Sequence, residues 1–142
     1  MISDYRTYLR ASYEIVSCAK INVKEELDQT LEAYLVELIA RHFKEHSFGE
    51  KPVAISMLES SVLPDYQKKQ SMAAIGDECL FIYGFKIKRR RWPSEKYYCD
   101  MGKIAYGSAA ISVNPEDLLY SHLEYHFELL GSVLNQFNRL IK

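Results

Sequence analysis

Apolar residues recur along this chain at helical intervals rather than in alternation, most regularly in the C-terminal quarter. Leu119, Leu123, Phe127, Leu130, Leu134, Phe137 and Ile141 follow one another at spacings of four and three, one stripe of a helix about six turns long. Asn114-Pro115-Glu116-Asp117 marks its start: a capping side chain, a proline where no N–H is needed, and two acids against the positive end of the helix dipole. Such a stripe must be buried, against other helices or against a second copy of the chain.

A second stripe, Leu27, Leu31, Leu35, Leu38 and Ile39, is bordered by Glu25, Glu26, Glu32, Glu37 and Arg41. Asn22-Val23-Lys24-Glu25 has the capping-box arrangement and predicts the start of this helix, and Ser47-Phe48-Gly49 predicts its end. Pro52 opens a short helix through Val62, and Leu63-Pro64-Asp65 breaks the chain and restarts it. The segment from Asp65 begins polar and turns wholly apolar at Cys79-Leu80-Phe81-Ile82-Tyr83-Gly84-Phe85, a run that would suit a buried strand or a buried helix. Helix is favoured, because Met72, Ile75, Cys79 and Ile82 keep helical spacing and no second strand-like segment is present to pair with it. Ser94 caps a further helix with Glu95 in its first turn. Tyr5, Tyr8, Leu9, Tyr13 and Val16 make residues 1–21 a helix or a mobile arm. The pattern predicts an all-α, compact single-domain bundle of five or six helices over residues 1–142, centred on the last helix and those starting at Asp65 and Ser94.

Composition agrees with an ordinary globular domain. The 142 residues are 48% apolar and 26% charged, enough to bury roughly two-thirds of the unfolded chain's surface. Eleven tyrosines and six phenylalanines supply rings suited to a core or to a partly wet interface. A net charge of −1 leaves no overall field to draw the chain to nucleic acid or anionic lipid. No run approaches the ~20 apolar residues of a membrane span, and Met1 to Arg6 has no basic segment followed by an apolar one, so the expected location is the cytoplasm. Cys18, Cys79 and Cys99 are odd in number and far apart, as expected of reduced, buried thiols.

Two groups of residues are candidates for chemistry. His42 with His46 and His122 with His126 are i, i+4 pairs, each with both imidazoles on one helix face. If the two faces meet, four nitrogens could hold zinc or another divalent metal; the alternative is packed or edge-lying structural histidines, since neither HExxH nor a Glu-x-x-His pair is present. Lys86, Lys88, Arg89, Arg90 and Arg91, followed by Trp92, put five cations in six positions. They could grip phosphates or an acidic partner, or simply offset the negative end of a helix dipole. Gly102, Ala105 and Ala109 predict a close helix crossing, while Tyr97, Tyr98 and Tyr106 are core residues or the lining of a ligand pocket. Ser17-Cys18-Ala19-Lys20 matches SxxK without its companion elements, and neither a phosphate-binding loop nor a nucleophile elbow occurs. No catalytic residue and no cofactor site is assigned.

Three blocks carry a resemblance: Leu31-Glu32-Ala33-Tyr34-Leu35-Val36-Glu37-Leu38, Gly76-Asp77-Glu78-Cys79-Leu80-Phe81-Ile82-Tyr83-Gly84-Phe85, and Tyr97-Tyr98-Cys99-Asp100-Met101-Gly102-Lys103-Ile104-Ala105-Tyr106-Gly107. Over about Leu31 to Phe137 the chain resembles a group of small bacterial helical proteins without assigned function. The resemblance implies a cytosolic helical protein and a helical Gly76 to Phe85, and it includes neither the histidine pairs nor the full basic run. The expected role is a non-catalytic interaction or dimerisation module, with a homodimer or another protein as partner. The alternatives are a small metal- or ligand-binding protein using the histidines and, third, a phosphate or nucleic-acid binder using Lys86 to Arg91.

Overall fold

In the computed structural model, residues 5–20, 28–44, 51–86, 94–110 and 117–140 are described. Their helices are α1 (Tyr5–Lys20), α2 (Gln29–Lys44), α3 (Val53–Ser61), α4 (Asp65–Phe85), α5 (Glu95–Ala109), α6 (Asp117–Tyr125) and α7 (Phe127–Leu140). The class is all-α, with no strand among the described residues. The count is seven instead of the expected five or six, because the C-terminal stripe is divided at His126.

That division has a packing cause. The backbone bonds His126 N–H to His122 C=O and Leu130 N–H to His126 C=O, both 2.9 Å, still cross the junction. The two halves, however, take different neighbours: α6 lies mainly on α5, whereas α7 lies mainly on α4 and α1. Among the described residues of the stripe, Leu123, Phe127, Leu130 and Leu134 are wholly covered and Leu119 is partly buried; the Phe137 side chain and Ile141 lie outside them. The stripe's described core positions therefore do not offer a face to a second copy.

α2 carries the second stripe as expected, with Leu31, Leu35, Leu38 and Ile39 buried against neighbours that include α1. Its cap is Asp28, not the Asn22 to Glu25 box, which lies outside the described residues together with Ser47 to Gly49. The Asp28 carboxylate accepts the Thr30 N–H at 2.7 Å, and its carbonyl accepts the Glu32 N–H at 2.8 Å. α3 and α4 meet at the predicted Leu63-Pro64 break, and α4 runs as helix through Phe85. Asn114 to Glu116 lie outside the described residues, and α6 is described from Asp117.

α4 and α5 make the most extensive pairing, with α7 across α4 and α6 across α5, so the three helices placed at the centre by sequence are there. Ser94 caps α5 by accepting the Tyr97 N–H at 3.3 Å. Gly102 is what lets α5 approach: a Cβ there would run into the Phe127 ring and come within 3.0 Å of Cys79 Cβ. Ala105 and Ala109 continue the same buried small-residue side.

Candidate functional site

The most buried carboxylate among the described residues is Asp77, midway along α4 on the stripe of Ala73, Leu80 and Gly84. Tyr34 and Arg41 stand seven residues apart on α2, and so on one face of it, and both reach the carboxylate. The Tyr34 hydroxyl donates to Oδ1 at 2.5 Å, the Tyr106 hydroxyl donates to the same oxygen at 2.7 Å, and Arg41 Nη2 donates to Oδ2 at 3.4 Å. Gly76 makes room for this arrangement, since a Cβ there would lie 2.6 Å from carbons of the Tyr106 ring. Tyr106 in turn stacks on Tyr120 of α6 with centroids 6.4 Å apart, and Lys69 Nζ sits 5.9 Å from the Tyr120 centroid.

Electrostatically, burial dominates. It pushes the Asp77 carboxyl above its ordinary range despite the two hydroxyls and the guanidinium that favour the anion. Burial, together with the charge of Asp77, lifts Tyr106 and Tyr34 well above the ordinary phenol range. Burial works against the half-exposed Arg41 cation, but Asp77, Tyr34 and Glu37 outweigh it and hold the guanidinium pKa up. With both oxygens engaged, Asp77 ties α2, α4 and α5 to one point. The sequence carried a signal for it, an acid on the buried face of an otherwise apolar run, but spacing alone named none of its partners.

The candidates taken from sequence fare differently. His122 is exposed and His126 half-buried, with ring centroids 6.3 Å apart. The His42 side chain and all of His46 lie outside the described residues. The Asp28 carboxyl is held below its ordinary range chiefly by the Thr30 N–H, with a smaller contribution from His122, which places His122 near the start of α2. The His42 backbone is fourteen positions further along, about 20 Å at 1.5 Å per residue. Among the described residues no group of three or more His, Cys, Asp or Glu side chains could hold a metal ion. These positions lend the shared-metal reading no support.

Of the basic run, only Lys86 is described; Lys88, Arg89, Arg90, Arg91 and Trp92 lie outside. Lys86 ends α4 in the left-handed conformation, φ 53°, its N–H bonding Ile82 C=O and its Nζ lying 3.4 Å from Glu95 at the start of α5. Tyr98 and Tyr106 are core residues, and Tyr97 is half-buried. Cys79 and Cys99 are buried and not in a disulfide, and burial pushes the Cys99 thiol up, away from the reactive thiolate.

The surface contains one feature that the sequence reading did not anticipate. Helix α3 packs Val53, Met57 and Ser60 inward: Ser60 is buried, its hydroxyl donates to Ser56 C=O at 2.8 Å, and it meets Ser71 of α4 at 2.5 Å. Because the single Ser60 proton is committed to Ser56, Ser71 is the donor of the pair. The opposite side displays Ile55, Leu58 and Val62, which are 46%, 70% and 83% exposed, and Tyr66 in the first turn of α4 extends it at 72%. Ile55 and Leu58 share one face of α3, and Val62, its C-cap residue, follows at the same spacing, so this is a stripe and not scattered exposure. Lys51 and Glu59, paired at 2.7 Å, form its rim.

No family model, curated protein or solved structure matches this chain. Among the described residues no helix is long and apolar enough to cross a membrane.

Proposed function

We propose that this protein is a non-catalytic helical interaction module of the bacterial cytoplasm whose working surface is the outward face of α3 with the first turn of α4. The exposed aliphatic stripe carries the reading. Leaving Ile55, Leu58 and Val62 about half to four-fifths exposed forgoes part of the ~1.5–3 kcal/mol that full burial of each would contribute. That stabilisation is recovered only when another surface covers the stripe. Tyr34 and Tyr106 are tied to Asp77, and Tyr66 is the aromatic residue next to the α3 stripe in sequence.

Site-specific photo-crosslinking tests this. A photoreactive residue at Leu58 is expected to give a discrete covalent adduct inside cells. The same residue at exposed Lys96, on α5, is expected to give none. Equal labelling at the two positions would remove α3 as the working surface.

A further inference from the structure

Resting on that reading, we infer that the occupant of the α3 face is a second copy of the same chain, docked with its α3 antiparallel to the first about a two-fold axis beside Leu58. Leu58 stands between Ile55 and Val62 on the stripe, so an antiparallel copy sets Leu58 next to the partner's Leu58 and Ile55 next to the partner's Val62. Two identical faces related by a two-fold axis match without any further adaptation.

The flanks of the stripe suit this arrangement. At 100° per residue, Glu59 falls on one flank, and exposed Ala54 and Ser61 fall on the other. A two-fold axis perpendicular to the pair brings like flanks to the same side of the seam. The small residues then allow close approach on one side, at the 8–10 Å typical of packed helices. On the other side the two Lys51–Glu59 pairs become neighbours, each lysine within reach of the partner's Glu59, and four charges alternate in sign.

Area and net charge point the same way. Ile55, Leu58, Val62, Leu63 and Tyr66 together expose apolar surface on the order of 500 Å², at the upper end for a monomer. Covering it on both copies removes about 1,000 Å², the lower bound for a specific interface. A net charge of −1 adds little repulsion between copies. The stripe itself carries no cation that would favour phosphate or anionic lipid.

Sedimentation across protein concentration tests the inference. Wild-type protein is expected to shift from 16.5 kDa toward twice that mass as its concentration rises. Leu58→Glu should raise the dimer dissociation constant roughly 100-fold, since two-fold symmetry places the change twice in the seam. Val62→Glu, at the most exposed of these positions, serves as an independent second variant. Both should keep the wild-type helical circular dichroism. Lys51→Glu and Glu59→Lys should each weaken self-association about 10-fold, and mixing the two should restore it, because each glutamate then meets a lysine across the seam.

A wild-type chain that stays monomeric at about 1 mM overturns the inference, as do Leu58→Glu and Val62→Glu variants that dimerise as well as wild type. Failure of the charge-swapped pair to recover on mixing overturns the antiparallel arrangement. A monomer that still crosslinks from position 58 to a protein of different mass removes self-pairing and leaves the interaction reading standing. A monomer without that crosslink removes both.

Discussion

Three donors converge on Asp77, yet the cost of taking its charge out of water exceeds what they return, and its carboxyl is pushed up. The folded-state value therefore lies above the unfolded one. Stability from the protonated form is complete below the unfolded value and is lost as pH rises through the folded one. Asp77→Asn stays neutral at every pH and lacks that slope. In urea titrations between about pH 4 and 8, the variant is expected to gain on wild type as pH rises; a flat or falling difference would show that burial does not control this group. Asp77→Ala is a different experiment. It strands the part-buried Tyr34 hydroxyl and the buried Tyr106 hydroxyl, and a loss of about 2–3 kcal/mol is expected from the urea midpoint. An acid at position 77 was visible in sequence, but its donors come from helices 43 and 29 residues away. No local pattern links residues so far apart.

Individual helices were the most legible level, because their ends are set by neighbours in sequence. Ser94 does what a serine before Glu95 is expected to do, and Ser94→Ala should cost about 1 kcal/mol, read as a lower thermal midpoint. Gly102→Ala should cost about 1–3 kcal/mol even though alanine is the better helix former, since the added methyl meets the Phe127 ring and Cys79. An unchanged or raised melting temperature would mean that α5 and α7 can move apart freely. The start of α2 was harder to read. Asn22 with Glu25 has the capping-box spacing, yet the helix bearing Leu31 to Ile39 begins after Asp28, whose carboxylate accepts the Thr30 N–H, a cap worth about 1 kcal/mol. The division at His126 left no mark on the four-and-three spacing. It follows from α5 claiming one half of the stripe while α4 and α1 claim the other.

For the whole molecule, the consequence of this packing is where apolar surface is left over. The C-terminal stripe has the stronger pattern, and all of its described core positions are covered by the chain's own helices. Helix α3 has a weaker pattern, and its Ile55, Leu58 and Val62 face outward. If copies pair there, the thermal midpoint of wild type should rise with protein concentration, because dimerisation adds to folding stability by mass action. The midpoint of Leu58→Glu should not move over the same range. A wild-type midpoint independent of concentration would argue against pairing from the thermodynamic side.

Periodicity and caps by themselves determined the all-α class, the Leu63-Pro64 break, the helical Cys79 to Phe85 run, and the central place of α4, α5 and the C-terminal helices. They could do so because hydrogen bonding, capping and the direction of an apolar stripe are settled within a few turns of chain. Tertiary structure alone decided which stripes are covered. A stripe states only that it must face something apolar, and which surface that is depends on how all the helices pack together. That is why Asp77 found Tyr34, Arg41 and Tyr106, why the last helix divided between neighbours, and why Ile55, Leu58 and Val62 were left facing water while Val53 and Ser60 were covered.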